Sequence, residues 1–160
     1  MDQSPTKSIL KQDVAKETEN ILYKEVEKLL KSDKKDCAIE GVDLSAWPDV
    51  FKKLKEMHKL RVLNIEGCKL ETFAPSALPS SVKHISLQQN NIANLDSIVF
   101  GQELPSGQSG EVRLLSLDLS CNKLTVFPFA SLHLQKELKI LDLSRNQISK
   151  LEEKHKIDGE

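Results

Sequence analysis

The side chains whose types could do chemistry in this chain are His58, His84, His133 and His155, Cys37, Cys68 and Cys121, and the aspartates Asp118 and Asp142. A metal centre needs ligands that converge on one point, which in sequence means spacings such as C-x-x-C or two histidines a helical turn apart. No histidine or cysteine here is spaced in that way. A serine nucleophile would need a strained elbow such as G-x-S-x-G, and that string is absent. The glycine-rich stretch GQELPSGQSG at 101–110 lacks the GxxxxGK[ST] spacing with which a loop cradles phosphate. Asp118 and Asp142 both stand in the string LDLS, so their separation follows from whatever placed that string twice, not from a pairing for acid–base work. The chain is therefore expected to have no catalytic residues, no metal ligands and no cofactor.

LDLS belongs to a longer unit. Leu114 to Leu124 reads LLSLDLSCNKL, and Leu138 to Ile148 reads LKILDLSRNQI in the same register. Further copies are LRVLNIEGCKL from Leu60 and VKHISLQQNNI from Val82, with a degenerate one, KKDCAIEGVDL, from Lys34. Three residues past the last apolar site each copy carries another large apolar side chain, namely Trp47, Phe73, Leu95, Phe127 and Leu151, with Pro48 and Pro128 following in two. Side chains alternate across a strand, so the fourth and sixth positions of each copy face one way and the third, fifth and seventh the other. The leucines are the inner set. One copy cannot bury them alone, so successive copies must stack.

This arrangement resembles the leucine-rich repeat, LxxLxLxxN/CxL. The resemblance covers residues 34–151 and implies an α/β solenoid of the intracellular type, curved into an arc. Its concave face would be a parallel β-sheet and its convex side irregular or short-helical. The expected layout is a helical cap over 1–33, a cap coil over 34–59, coils at 60–81, 82–113, 114–137 and 138–151, and a polar tail over 152–160. The third coil holds the surplus residues 101–110, read as a projecting loop. The ladder position is filled by Asn90, Asn122, Asn146 and, as a weaker substitute, Cys68; such side chains can satisfy backbone groups at the bend behind each strand. Val42 in the first copy cannot.

Strand alternation sends three rows outward. Val62, His84, Ser116 and Ile140 form the first, Asn64, Ser86, Asp118 and Asp142 the second, Glu66, Gln88, Ser120 and Ser144 the third, with Arg61, Lys83 and Arg145 reaching over the margin. These rows are the expected contact surface for a protein or peptide partner, because a rigid sheet holds side chains ready at little conformational cost.

Composition adds limits. With 23 basic and 24 acidic residues there is no general pull towards nucleic acid or anionic membrane. The opening MDQSPTKSILKQ lacks the apolar run of a signal peptide, no stretch is long enough to span a bilayer, and there is no N-x-Ser/Thr acceptor, so the cytoplasm is expected, with the nucleus as second choice. Ser4 and Pro5 suit a helix start, Ile9, Leu10 and Val14 give its first half a weak apolar pattern, and Ile21, Leu22, Val26, Leu29 and Leu30 recur at helical spacing beyond it. That helix is read as a lid on the first coil in preference to a partner-binding element. SAWPDVFKKLKEMHKL is read as a helical convex segment with Trp47, Phe51, Leu54, Met57 and Leu60 inward. The outward Lys52, Lys53, Lys55, His58 and Lys59, with Arg61 after them, are read as a solvated basic face before an RNA-phosphate site. Leu141 and Leu143 would lie under an open last strand, so that the polar tail folds over it, a partner or second copy covers it, or the chain is the N-terminal piece of a longer protein, the last being the preferred reading. The opening helix, cap coil and LRVLNIEGC are also similar to a repeat protein whose later half resembles the B3/B4 module of phenylalanine-tRNA synthetase. That likeness implies an alternative, the recognition arm of a larger enzyme or RNA-linked protein.

Overall fold

The structure, a computed structural model, describes residues 21–46, 49–73, 78–95, 112–128, 132 and 135–151. Trp47 and Pro48, the stretch before Ile21, the 101–110 segment, His133, His155 and the 152–160 tail lie outside the described residues. Residues 21–30 are helical and are called α1. There follow β1 (Asp36–Glu40), a single 3-10 turn (Leu44–Ala46), α2 (Asp49–Lys55), β2 (Val62–Glu66), β3 (His84–Ser86), β4 (Ser116–Asp118), β5 (Val126–Phe127), β6 (Ile140–Asp142) and β7 (Lys150–Leu151).

The main sheet runs β1-β2-β3-β4-β6, parallel throughout and in chain order, the signature of coils stacked one upon the next. The alternation that predicts these strands is visible in their burial. Leu63, Ile65, Ile85, Leu87, Leu117 and Leu119 point into one continuous core, closed from the other side by Leu60, Leu70, Val82, Ile92, Leu114 and Leu124. Parallel strands sit about 4.8 Å apart, whereas a helix on the opposite side needs about 10 Å. Coils carrying α2 behind a strand must therefore splay on the helical side, which makes the sheet the inner, concave wall.

The first copy contributes a full strand, since β1 pairs with β2 over five positions from Asp36↔Val62 to Glu40↔Glu66. Three local details depart from the sequence reading. The convex helix is shorter than its apolar pattern suggests: α2 spans seven residues, with Val50 and Leu54 fully inward and Phe51 only half-buried, its ring meeting Phe73 edge-on at 5.8 Å. A second parallel pair, β5 with β7, runs between the last two coils and was not expected. On α1, Val26 and Leu30 enter the core and Leu22 and Leu29 flank it, but Ile21 stays 56% exposed, outside the apolar stripe.

α1 is fastened to the helical side. Glu27 accepts a hydrogen bond from Lys53, and Lys59 pairs with Asp33 just past the end of α1. The Lys53 ammonium also lies 5.7 Å from the Tyr23 ring centre. The Lys53 contact holds the Glu27 carboxyl below its ordinary 4.5. Lys53 of α2 and Lys59 beyond it are thus both engaged with the first helix and the turn after it.

Candidate functional site

The outward face of the main sheet holds the predicted rows in register. Asp36, Val62, His84, Ser116 and Ile140 are successive partners in the first row, and Ala38, Asn64, Ser86, Asp118 and Asp142 in the second. Glu40 and Glu66 begin the third. Gln88, Ser120 and Ser144 continue it, because the N–H groups of Gly67, Gln89 and Cys121 donate to their carbonyls at 3.0–3.2 Å. Asp36, Ala38 and Glu40 were missed as members; the signal was present, since they occupy the third, fifth and seventh positions of KKDCAIEGVDL.

Within the rows, environments differ. Ile140 is 64% exposed and Val62 38%, unusual for large apolar side chains and both on this face. Ser120 is only 4% exposed, so it belongs to the packing beneath the face and offers a partner little. His84 Nδ1 and Ser116 Oγ share a hydrogen bond of 2.9 Å across β3 and β4. A nucleophile–base pair needs a third group to orient the imidazole. Among the described residues no hydrogen bond supplies one.

Asp118 and Asp142 are oriented from below. Each carboxylate accepts a hydrogen bond of 2.8 Å from the backbone N–H two residues on, at Ser120 and Ser144. Each carboxylate is thereby held in orientation. The Ser144 N–H holds the Asp142 carboxyl below its ordinary 3.8, so it is ionised at neutral pH. Among the marginal cations, Arg61 donates to Ser81 O at 3.3 Å and Lys83 to Arg113 O at 3.0 Å. Both therefore run along the leading edge of the strands and do not cross the rows. Arg145 stands exposed at the trailing edge, with a left-handed backbone.

The face is held in shape by the ladder behind it. Asn90 Oδ1 accepts from Cys68 N and Leu70 N, both at 3.0 Å, while its Nδ2 donates to Ile65 O, Leu87 O and Gln88 O at 2.8–3.1 Å. Asn122 repeats the donation to Leu87, Leu119 and Ser120, and Asn146 to Leu119, Leu143 and Ser144. Cys68 Sγ donates to Ile39 O and Glu66 O, both at 3.3 Å, carbonyls in the places that Asn90 reaches one coil later. It does as a thiol part of what an amide does elsewhere. Burial pushes the Cys68 thiol up, and pushes that of Cys37 up to about 11, so neither is a nucleophile at neutral pH. Among the described residues no His, Cys, Asp or Glu group could hold a metal ion, and no helix is long and apolar enough to cross a membrane.

The family model described as Leucine Rich Repeat matches residues 59–80 and 137–154, which hold the second and fifth copies. The chain carries leucine-rich repeats. No curated protein matches it. Leucine-rich repeats generally serve as protein-interaction modules, and their solenoids are typically non-catalytic. In this repeat protein the remaining copies follow the same register, as the unbroken order of the sheet requires.

Proposed function

We propose that the protein is a non-enzymatic interaction module that binds a protein or peptide partner through the concave sheet face. The observation carrying this reading is the alignment of three side-chain rows on one hydrogen-bonded sheet, with Val62 and Ile140 exposed and the Asp118 and Asp142 carboxylates oriented in advance. Groups already held in place cost little further entropy on binding, which favours affinity for a partner of matching shape. The free thiols of Cys37, Cys68 and Cys121 suit a reducing compartment, and we assign the protein to the cytoplasm or nucleus on that ground. Charge reversal at both sites, Asp118→Lys with Asp142→Lys, should lower capture of partners from lysate about tenfold or more while leaving the circular-dichroism spectrum unchanged. Undiminished capture would move the site off this face.

A second reading is self-association through the last coil. Among the described residues nothing packs beyond β6, and Leu141 and Leu143 are only partly buried where the equivalent side chains of β2, β3 and β4 are fully inside. Sedimentation across a wide concentration range decides it: a constant monomer mass removes the reading.

A further inference from the structure

The overall charge balance of the chain conceals a strong local imbalance. Across the five strands the outward positions carry Asp36, Glu40, Glu66, Asp118 and Asp142, and not one lysine or arginine. The basic residues lie elsewhere: on α1 and α2, along the leading edge, where Lys83 and Arg61 are tied to backbone carbonyls, and at the trailing edge, where Lys69, Lys123 and Arg145 are exposed. Like charges on neighbouring strands repel, at a cost to the fold that opposite charges would have relieved. Asp118 and Asp142 are directly opposed in β4 and β6 and are such a pair.

Another feature of the same face says what would relieve it. Val62 and Ile140 are exposed beside the carboxylates, and such a surface suits side chains with a long aliphatic stem and a charged head. A partner there is asked to bring donors, positive charge and apolar reach together, which is the chemistry of lysine and arginine. We propose that the concave face docks an extended cationic segment of a protein partner, its lysines or arginines lying over the second and third rows.

This rests on the sheet face being the binding surface, and the test separates the two. A displayed library of random dodecapeptides is panned against the whole protein, and selected peptides are measured by fluorescence anisotropy at low and physiological salt. Three variants accompany the natural chain. Asp118→Asn with Asp142→Asn removes charge but keeps the acceptor for the Ser120 and Ser144 N–H groups; Glu25→Gln with Glu71→Gln removes equal charge from exposed positions off the face; Ser86→Trp fills the centre of the second row. The melting temperature of each confirms folding. The expected result is enrichment in lysine and arginine, affinity falling with salt, a loss of about tenfold for the aspartate pair and less than about twofold for the off-face pair. Peptides without cationic enrichment that are nevertheless blocked by Ser86→Trp overturn this inference and leave the concave-face reading standing. Peptides indifferent to Ser86→Trp overturn both. Equal losses for the two neutralised pairs, or no enrichment at all, also overturn the inference.

Discussion

The asparagine ladder ties chain chemistry to coil geometry most directly. Asn90 makes five hydrogen bonds to main-chain groups of two coils, so Asn90→Ala strands buried donors and acceptors that water cannot reach. The expected loss is about 3–4 kcal/mol, because each such group costs roughly 1–3 kcal/mol when left unpaired, with partial relaxation. Cys68→Ala removes two weak sulfur contacts and should cost about 1 kcal/mol. Urea denaturation of the two variants compares them; equal losses would mean that the ladder is not what holds the bend. The ladder was legible in sequence, since only a short amide at a fixed offset could play that part. The residue before it was not. Gly41, Gly67, Gln89, Cys121 and Arg145 all take a left-handed backbone there, φ between 55 and 66°. Only the first two are glycines, the residue type that announces such a turn. In the other three, the turn costs roughly 1–2 kcal/mol per L-residue, offset where Gln89 and Cys121 donate their N–H groups to the carbonyls of the next coil.

At the scale of elements, α1 closes one end of the stack. Val26 and Leu30 are 6% exposed and belong to the same core as Leu44 and Leu54, whereas Ile21 on the same helix is largely in water. Leu30→Ala should therefore destabilise by about 2–4 kcal/mol, and Ile21→Ala by less than about 0.5 kcal/mol. Thermal melting of the two variants checks the contrast. A small effect from Leu30→Ala would show that the helix is not a lid, and would reopen the alternative of a partner-binding element. Element identity was readable wherever a period was clean. Alternation of two residues located β2, β3, β4 and β6, and the helical spacing of Val26, Leu29 and Leu30 located α1. The first copy has Val42 in the ladder position and forms a strand all the same. Strand formation depends on Cys37 and Ile39 facing inward and on the β2 edge beside them, and neither condition needs the asparagine. The β5–β7 pair had no pattern to read, since it arises only because two coils of like length place Val126 and Lys150 side by side.

For the whole molecule, stacking implies a gradient. A core leucine in an interior coil touches the coils on both sides, while one in β6 or just beyond it touches, among the described residues, only the coil before, and stability in such a stack is roughly a sum of coil and interface terms. Leu119 is fully buried; its counterpart Leu143 is only partly so. The carbonyl of Leu119 is also reached by Asn122 of its own coil and Asn146 of the next, whereas the Leu143 carbonyl receives Asn146 alone among the described residues. Leu119→Ala should accordingly cost about 3–4 kcal/mol and Leu143→Ala about half of that. The same gradient governs local opening, because the least buried coil is the one that detaches at least cost. In native-state hydrogen exchange the amides of Leu124 and Leu119, both held by the following coil, should outlast those around Leu143 to Ile148. Uniform protection from β2 to β6, or equal losses for the two alanine variants, would mean that the last coil is covered in solution, and a mass above that of the monomer would then identify a second copy as the cover.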